Sequence, residues 1–288
     1  MREQHFEYRS EADDLVIAAI KWAPERARAI VQISHGLAEH SRRYRRLAKA
    51  LTGAGYAVYG NDHRGHGATL KGAPGDFGEA GWEGLVADMA QLGRIARSEN
   101  EGLPHILLGH SMGSFAVQQF LLDGSRDVDA AILSGSSDFA ALAPLAAAGA
   151  DFSFAALNAG FEPARTKFDW LSRDAREVDA YIADPLCGFD APAEATAGMF
   201  SAGSRFADPE QLARIRSDLP LLIFSGNRDP VSAGGALLDG LVARYRDAGL
   251  TNLTLKLYDD GRHEMFNETS RDEVTAEVIA WIECAVLN

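Results

Sequence analysis

Short runs of strand-forming, largely apolar residues alternate along the chain with longer segments of helical character. Runs of the first kind are typical of strands buried in a parallel sheet, and the longer segments are typical of helices packed on it. The short runs predict strands at 5–10, 15–22, 29–34, 56–61, 105–109, 130–134, 221–225 and 253–258. The longer segments predict helices near 41–53, 82–98, 112–123, 234–248 and 270–286.

The order of these elements predicts an α/β fold with one mostly parallel, doubly wound sheet. The first two strands flank an acidic Glu-Ala-Asp-Asp turn, which indicates an antiparallel hairpin at a sheet edge. More than eighty residues then separate the strand ending at Ser134 from the one starting at Leu221. Because a connection this long is rarely an ordinary loop, we expect a helical cap at 136–215 inserted into a core formed by 1–135 and 216–288.

Composition narrows the class of function. The formal net charge of -13 argues against nucleic-acid partners and against docking on anionic membranes. The two cysteines, Cys187 and Cys284, are too few for a disulfide framework or a zinc site. With no apolar leader in MREQHFEYRSEADD and no run long enough to span a bilayer, the chain is expected to be a cytoplasmic protein without an integral membrane segment.

The stretch GHSMG at 109–113 matches the pattern Gly-x-Ser-x-Gly. It follows the apolar strand HILL and precedes the helical SFAVQQFLL, which is the strand–turn–helix context of a nucleophile elbow. A phosphate-binding loop is disfavoured because no Lys-Ser or Lys-Thr pair follows. We therefore predict that Ser111 is a nucleophile rather than part of a structural turn.

A serine nucleophile needs a histidine base and a carboxylate that orients it, and in this fold they follow the serine in the order acid, histidine. Only His263 lies downstream of Ser111, so His263 is the candidate base. Asp229, just past the apolar strand LLIFS, is the favoured acid. Asp138 occupies the equivalent place one strand earlier and stays open as an alternative.

The oxyanion formed during acyl transfer needs two N–H donors. The amide of Met112, directly after the nucleophile, is expected to be one of them. The second should come from the loop after an earlier strand, and His35 and Gly36 follow the strand AIVQIS at such a place. The amide of Leu37 is therefore the second candidate.

Five segments, HGLAEHSRRY, YGNDHRGHGAT, GHSMGS, GNRDPV and GRHEMFNE, occur in this order along the chain. Together they resemble the α/β-hydrolase branch that contains monoacylglycerol lipases, bacterial lysophospholipases and serine aminopeptidases. The resemblance implies an eight-stranded α/β-hydrolase fold with a helical cap, and the triad Ser111, Asp229 and His263. It implies no cofactor and no metal; the Asp62–Gly67 run is expected to be a structural turn, and Glu39 and His40 are expected to fix their loop.

The resemblance implies hydrolysis of a small ester or lipid-like substrate through an acyl-enzyme. Monoacylglycerols or lysophospholipids are favoured, with short-chain carboxylesters nearly as well supported and amide substrates or a ligand-binding protein as further alternatives. Besides His35 and Gly36, apolar cap residues are candidates for substrate contact, although they could equally form the core of the cap. The foremost of these are Phe139, Phe152 and Phe154, followed by Leu142, Leu145, Leu157 and Phe161.

Overall fold

The computed structural model describes residues 1–287, which form one eight-stranded sheet in the order β1-β2-β4-β3-β5-β6-β7-β8. Every predicted strand is present, with bounds that shift by a few residues at most. The strands are β1 Arg2–Arg9, β2 Val16–Ala23, β3 Ala29–Ser34, β4 Tyr56–Asn61, β5 His105–His110, β6 Ala130–Ser134, β7 Leu221–Gly226 and β8 Leu253–Tyr258.

The six strands β3 to β8 are parallel to one another. The β1–β2 hairpin adds to the β4 edge in antiparallel fashion, as the sequence predicts. The five strands β3 to β7 are fully buried along their length because helices cover both faces. Successive side chains of a strand point to opposite faces. Accordingly, Leu107 packs with the helices on one face while Ile106 and Leu108 pack with those on the other.

The helices agree with the predicted spans and add those of the long connection. They are α1 Arg45–Gly53, α2 Gly81–Glu99, α3 Met112–Gly124, α4 Phe139–Ala147, α5 Phe154–Asn158, α6 Ala175–Ala183, α7 Ala193–Ala202, α8 Pro209–Leu212, α9 Ala236–Asp247 and α10 Arg271–Ile282. A 3-10 turn, Ser41–Tyr44, precedes α1, and a π-helical turn, Glu283–Leu287, follows α10. None of the helices within residues 1–287 is both long and apolar enough to cross a membrane.

The connection from β6 to β7, residues 135–220, contains α4 to α8 and no strand; we call it the helical insertion. Its middle has an apolar cluster of its own, centred on Phe168, Trp170 and Tyr181. Its two ends do not, since Phe139 and Phe206 belong to the main core beneath the sheet. The insertion is therefore anchored at both ends in the same apolar core that holds α2, α3 and α9.

Parallel strands place their carboxyl ends along one edge of a sheet, where loops from several strands converge. The loop 35–40 after β3, Ser111 after β5, Asp229 after β7 and His263 after β8 all lie at this edge. We call residues 35–40 the His-Gly loop. The helical insertion follows β6 and starts from the same edge.

Candidate active site

Ser111 occupies a strained turn between β5 and α3. Its backbone has φ 52° and ψ -123°, a conformation that non-glycine residues rarely adopt. The two glycines of the motif make the turn possible: a Cβ at Gly109 would meet the Gly113 carbonyl, and a Cβ at Gly113 would overlap the Ser34 carbonyl. The amide of Ser111 donates to the Ser134 carbonyl at 2.9 Å, which ties the turn to β6. The strain is held by packing, as expected for a nucleophile elbow.

Asp229 and His263 form a buried pair at the ends of β7 and β8. Both carboxylate oxygens of Asp229 lie 3.0 Å from Nδ1 of His263. Ser225 Oγ donates to Oδ2 of Asp229 at 2.5 Å and the Val231 amide to Oδ1 at 2.9 Å, so the carboxylate is fixed in orientation. Since a carboxylate only accepts, Nδ1 carries the proton and Nε2 is left as the free acceptor of the imidazole.

Pairing shifts the pKa values of His263 and Asp229 in the directions that favour the charged form of each group. Burial by itself would lower the pKa of His263, but the Asp229 carboxylate and its hydrogen bond outweigh burial and raise that pKa above 6.5. Burial would likewise raise the pKa of Asp229, but the charge of His263 and the hydrogen bonds from His263, Ser225 and Val231 lower it. The imidazolium that forms when His263 accepts a proton is thus stabilised where it arises.

Two aromatic rings pack against His263. The Trp170 ring of the helical insertion lies 4.8 Å from the His263 ring, centroid to centroid, and the His110 ring lies 4.7 Å from it. The insertion also reaches the backbone of this loop, because the His263 and Glu264 amides donate to the carbonyls of Trp170 and Leu171. The position of the imidazole therefore depends on the insertion as well as on the sheet.

Two residues that line the same cavity as Ser111 have backbone amides that are unpaired within the described part of the chain. Met112 is the first residue of α3 and Leu37 lies in the His-Gly loop, and within residues 1–287 neither N–H has a hydrogen-bond acceptor. Both residues line the cavity that Ser111 and His263 also line. Two free N–H groups beside a serine nucleophile are what an oxyanion hole requires.

Glu39 fixes the His-Gly loop, as expected from its sequence. Its Oε1 accepts the Gly36 amide at 2.6 Å and the Tyr44 hydroxyl at 2.7 Å, and Arg43 bonds its Oε2 at 2.8 Å. Burial would raise the pKa of Glu39, but Arg43 and nearby histidines lower it to about 2. The same Arg43 makes two hydrogen bonds to Glu264, so one largely buried cation joins the His-Gly loop to the loop of His263. This link was not predicted from the sequence.

A cavity of about 340 Å³ opens onto Ser111 and His263, between the sheet edge and the helical insertion. Its walls are mainly apolar. Insertion residues that line it include Leu142, Leu145, Phe152, Phe154, Leu157, Trp170, Met199 and Phe200. The sequence predicted five of these from their apolar character, but it missed Trp170, Met199 and Phe200, which lie in segments without a regular apolar period.

Only some of the residues expected to contact substrate line this cavity. Gly36, Phe152 and Phe154 do line the cavity. His35 does not, because its buried ring bonds the Gly36 carbonyl and the His63 amide instead. Phe139 is fully buried beneath the cavity and stacks on Phe115 at 4.7 Å, and Phe161 packs against Arg262 outside the cavity. These three side chains are structural.

Asp138, the alternative acid, has a different task. It caps α4 by accepting the amides of Ala140 and Ala141, and it pairs with Arg244 at 3.0 Å. Its carboxylate makes no contact with His263 among the hydrogen bonds of the described residues. The geometry thus favours Asp229 as the partner of the histidine.

The Asp62–Gly67 run forms a buried turn, as expected. Gly65 and Gly67 have φ of 70° and 49°, and a Cβ at either would overlap neighbouring atoms. Asp62 accepts the Ser41 amide and hydroxyl, and His66 accepts the Ala38 amide. Asp62 and His66 thus support the His-Gly loop and the turn that follows it, whereas Arg64 of the same run pairs with Asp13 and Asp88.

A family model described as serine aminopeptidase, S33 matches residues 25–270. The chain belongs to this family. Among relatives of this S33 hydrolase is a monoacylglycerol lipase from Mycolicibacterium smegmatis, 32% identical over 274 residues that cover 91% of the present chain and 90% of the relative. The monoglyceride lipase of Homo sapiens is 28% identical, with 94% of the present chain and 88% of the human one covered.

Solved structures agree with the fold of the S33 hydrolase. A thermostable carboxyl esterase from Bacillus coagulans superimposes with a TM-score of 0.87 at 27% identity, over 99% of each chain. The predicted α/β-hydrolase fold with an eight-stranded sheet is therefore confirmed, and so is the resemblance to the branch containing monoacylglycerol lipases.

Proposed function

We propose that this S33 hydrolase cleaves monoesters of the monoacylglycerol type, with Ser111, His263 and Asp229 as its catalytic triad. It is a serine hydrolase that acts on carboxylic esters. One observation supports the triad above all. The strained turn places Ser111 on the same apolar cavity as His263, and the Nδ1 atom of His263 is held by the buried carboxylate of Asp229. This arrangement leaves Nε2 of His263 to take the serine proton.

The reaction proceeds in two halves. Ser111 Oγ attacks the ester carbonyl while His263 Nε2 accepts its proton, and the Leu37 and Met112 amides hold the oxyanion. His263 then protonates the leaving alcohol, which departs and leaves an acyl-serine. A water molecule deprotonated by His263 attacks the acyl carbon, and the acid leaves as Ser111 regains its proton. Asp229 stabilises the imidazolium in both halves.

The cavity supports a single-chain ester. Its volume of about 340 Å³ is near the lower end of the roughly 300–1,000 Å³ typical of ligand sites. A space this small, walled by Leu142, Phe152, Phe154 and Met199, suits one acyl chain rather than two or three. The monoacylglycerol lipases among the relatives support the same substrate class. A cytoplasmic location is part of the proposal, supported by the fact that Cys187 and Cys284 are both unpaired.

Two measurements test the proposal in turn. A fluorophosphonate probe should label the wild-type protein and fail to label Ser111→Ala, whereas labelling of both proteins would remove Ser111 as the nucleophile. Ester turnover should then be compared across p-nitrophenyl esters from acetyl to palmitoyl, beside a monoacylglycerol and a lysophosphatidylcholine. We expect glycerolipid turnover and an optimum above the acetyl ester. An optimum at acetyl with no glycerolipid turnover would leave the triad intact but assign the enzyme to short-chain esters.

A further inference from the structure

Three side chains with metal-binding atoms meet where the helical insertion touches the His-Gly loop. His40 is the last residue of the loop and is buried, while Asp184 and Cys187 follow α6 and are half-buried. One ligand atom of each lies within 4.8 Å of those of the other two. The sequence predicted no metal, both from the small number of cysteines and from the family resemblance, but this cluster uses one cysteine and a histidine 144 residues from the aspartate.

We propose that His40, Asp184 and Cys187 bind a zinc-class divalent cation, which fastens the helical insertion to the His-Gly loop. An imidazole nitrogen, a carboxylate oxygen and a thiolate sulfur are the three ligand types that Zn²⁺ takes in proteins. Water completes the tetrahedron, because Asp184 and Cys187 are accessible from solvent. The site is separate from the triad, and binding of the cation does not depend on the proposed function.

The ligands are held in nearly the required positions. His40 Nε2 lies 2.9 Å from Asp184 Oδ2, and the Leu186 amide donates to Oδ1 at 2.9 Å, which turns Oδ2 toward the imidazole. Bond lengths of about 2.0 to 2.3 Å to zinc imply ligand-to-ligand separations of about 3.3 to 3.8 Å. The His40–Asp184 separation of 2.9 Å is shorter than this range and has to widen when the cation binds. The separations to the Cys187 sulfur are at most 4.8 Å, so they have to close by about one ångström, which rotation of the Cys187 side chain would allow.

Few existing hydrogen bonds are lost when the cation binds. Within residues 1–287 the His40 ring has a single hydrogen bond, the one to Asp184, since its Nδ1 has no partner. A cation at Nε2 replaces the proton shared with Asp184 and releases the thiol proton of Cys187. The neighbouring cation Arg43 does not repel it strongly, because Arg43 is paired with both Glu39 and Glu264.

The backbone around the ligands already joins the two regions. The Tyr181 hydroxyl and the Gly188 amide both donate to the Ala38 carbonyl, at 2.8 and 3.0 Å. The Cys187 amide bonds the Asp184 carbonyl at 3.0 Å and closes the turn that holds two of the ligands. A bound cation replaces the His40–Asp184 hydrogen bond across the same junction with metal–ligand bonds to both sides, so we expect it to resist separation of the insertion from the loop.

Cobalt(II) is a direct probe, because it binds zinc sites and absorbs light. The tag-free, metal-stripped protein should be titrated with Co²⁺ beside Cys187→Ser and Asp184→Asn. The control is Cys284→Ser, which removes the other free cysteine, an exposed one. We expect one equivalent of Co²⁺ to give a near-ultraviolet thiolate-to-cobalt absorption in the wild type and in Cys284→Ser, and Zn²⁺ to displace it.

Cys187→Ser should abolish that absorption, and both Cys187→Ser and Asp184→Asn should weaken Zn²⁺ binding by at least about tenfold. Thermal unfolding without metal shows whether each variant is folded, and Zn²⁺ should raise the Tm of the wild type and of Cys284→Ser more than that of the two ligand variants. The proposal is overturned if the wild type gives no thiolate absorption, if Cys187→Ser retains it, or if Cys284→Ser loses it. Fluorophosphonate labelling of the same samples reports on Ser111 separately.

Discussion

Two groups of histidines lie near Ser111, and only one of them is arranged for catalysis. The rings of His35, the first residue of the His-Gly loop, and of His63 and His66 pack together, with the His35 centroid at 4.3 Å from His63 and 5.2 Å from His66. His110 and His263 pack together beside the serine at 4.7 Å. All five rings are buried and all belong to loops or strand ends at the same edge of the sheet.

Two rings of the first group, those of His35 and His66, serve as hydrogen-bond acceptors for the backbone. His35 Nε2 accepts the His63 amide at 2.9 Å, and His66 Nε2 accepts the Ala38 amide at 3.1 Å. A protonated imidazole has no acceptor, so these rings must be neutral in the folded protein. Burial and the neighbouring histidines lower their pKa values, that of His66 to about 3.

The second group differs in what its members bond. His263 has a carboxylate on Nδ1, and its pKa is raised, whereas burial and the charge of His263 lower the pKa of His110 to about 4. Neither burial nor a position at the carboxyl edge of the sheet is therefore enough to make a histidine a catalytic base. The deciding feature is a buried carboxylate on one ring nitrogen with the other nitrogen facing the cavity.

The largest effect should come from removing the base. We expect His263→Ala to lower kcat by about 10⁴- to 10⁶-fold, because the serine then has no proton acceptor. The matched change in the first group, His66→Gln, keeps a side-chain acceptor for the Ala38 amide and should lower kcat less than about tenfold. Steady-state hydrolysis of one p-nitrophenyl ester by folded samples measures both. Equal losses in the two variants would erase the distinction between the groups.

Replacing an aspartate by asparagine tests the feature that distinguishes the two histidine groups, a buried carboxylate on one ring nitrogen. Asp229→Asn should lower kcat by about 10⁴-fold, because the amide can present a donor to Nδ1 and favour the wrong tautomer. Asp138→Asn should leave kcat within a few-fold and lower the free energy of unfolding by about 1 kcal/mol through the weakened cap of α4. Ester kinetics and urea unfolding of both variants decide the matter. The opposite pattern of kcat would make Asp138 the acid.

Glu39 offers a smaller test, since it acts through the loop rather than on the substrate. Glu39→Gln places an amide NH₂ against either the Gly36 amide or Arg43, so the loop carrying the Leu37 amide should shift. Loss of one well-placed oxyanion donor costs about 100-fold in kcat. We expect kcat to fall by about that factor while KM changes little. An unchanged kcat with a raised KM would show instead that Glu39 shapes the binding cavity.

These contrasts also explain what could be predicted from the sequence. The strands carry apolar residues at almost every position, and Ser111, Asp229 and His263 follow directly at strand ends, so order along the chain was enough to find them. The helical insertion offered no such guide. Phe139 and Phe152 look alike in sequence, yet one is buried on Phe115 and the other lines the cavity. The role of Arg43 depends on two glutamates far apart in sequence, and only the folded chain brings them together.

The smallest effect concerns the pH dependence of stability. In the unfolded chain His66 takes up a proton near its ordinary pKa of 6.5, whereas in the folded protein it does so only at about 3. Between those values the unfolded state binds more protons, so His66 makes the free energy of unfolding fall as the pH falls, by up to about 1.4 kcal/mol per pH unit. The free energy of unfolding therefore carries the full contribution of neutral His66 above pH 6.5 and loses it as the pH falls toward 3.

His66→Gln removes this titratable group, so its loss of stability from pH 7 to pH 5 should be about 2 kcal/mol smaller than that of the wild type. Urea unfolding at both pH values measures this difference, with His5→Gln, at an exposed position, as the control that should follow the wild type. Parallel pH profiles for His66→Gln and the wild type would mean that His66 titrates alike in both states, and the neutral acceptor role assigned to the first group would fail.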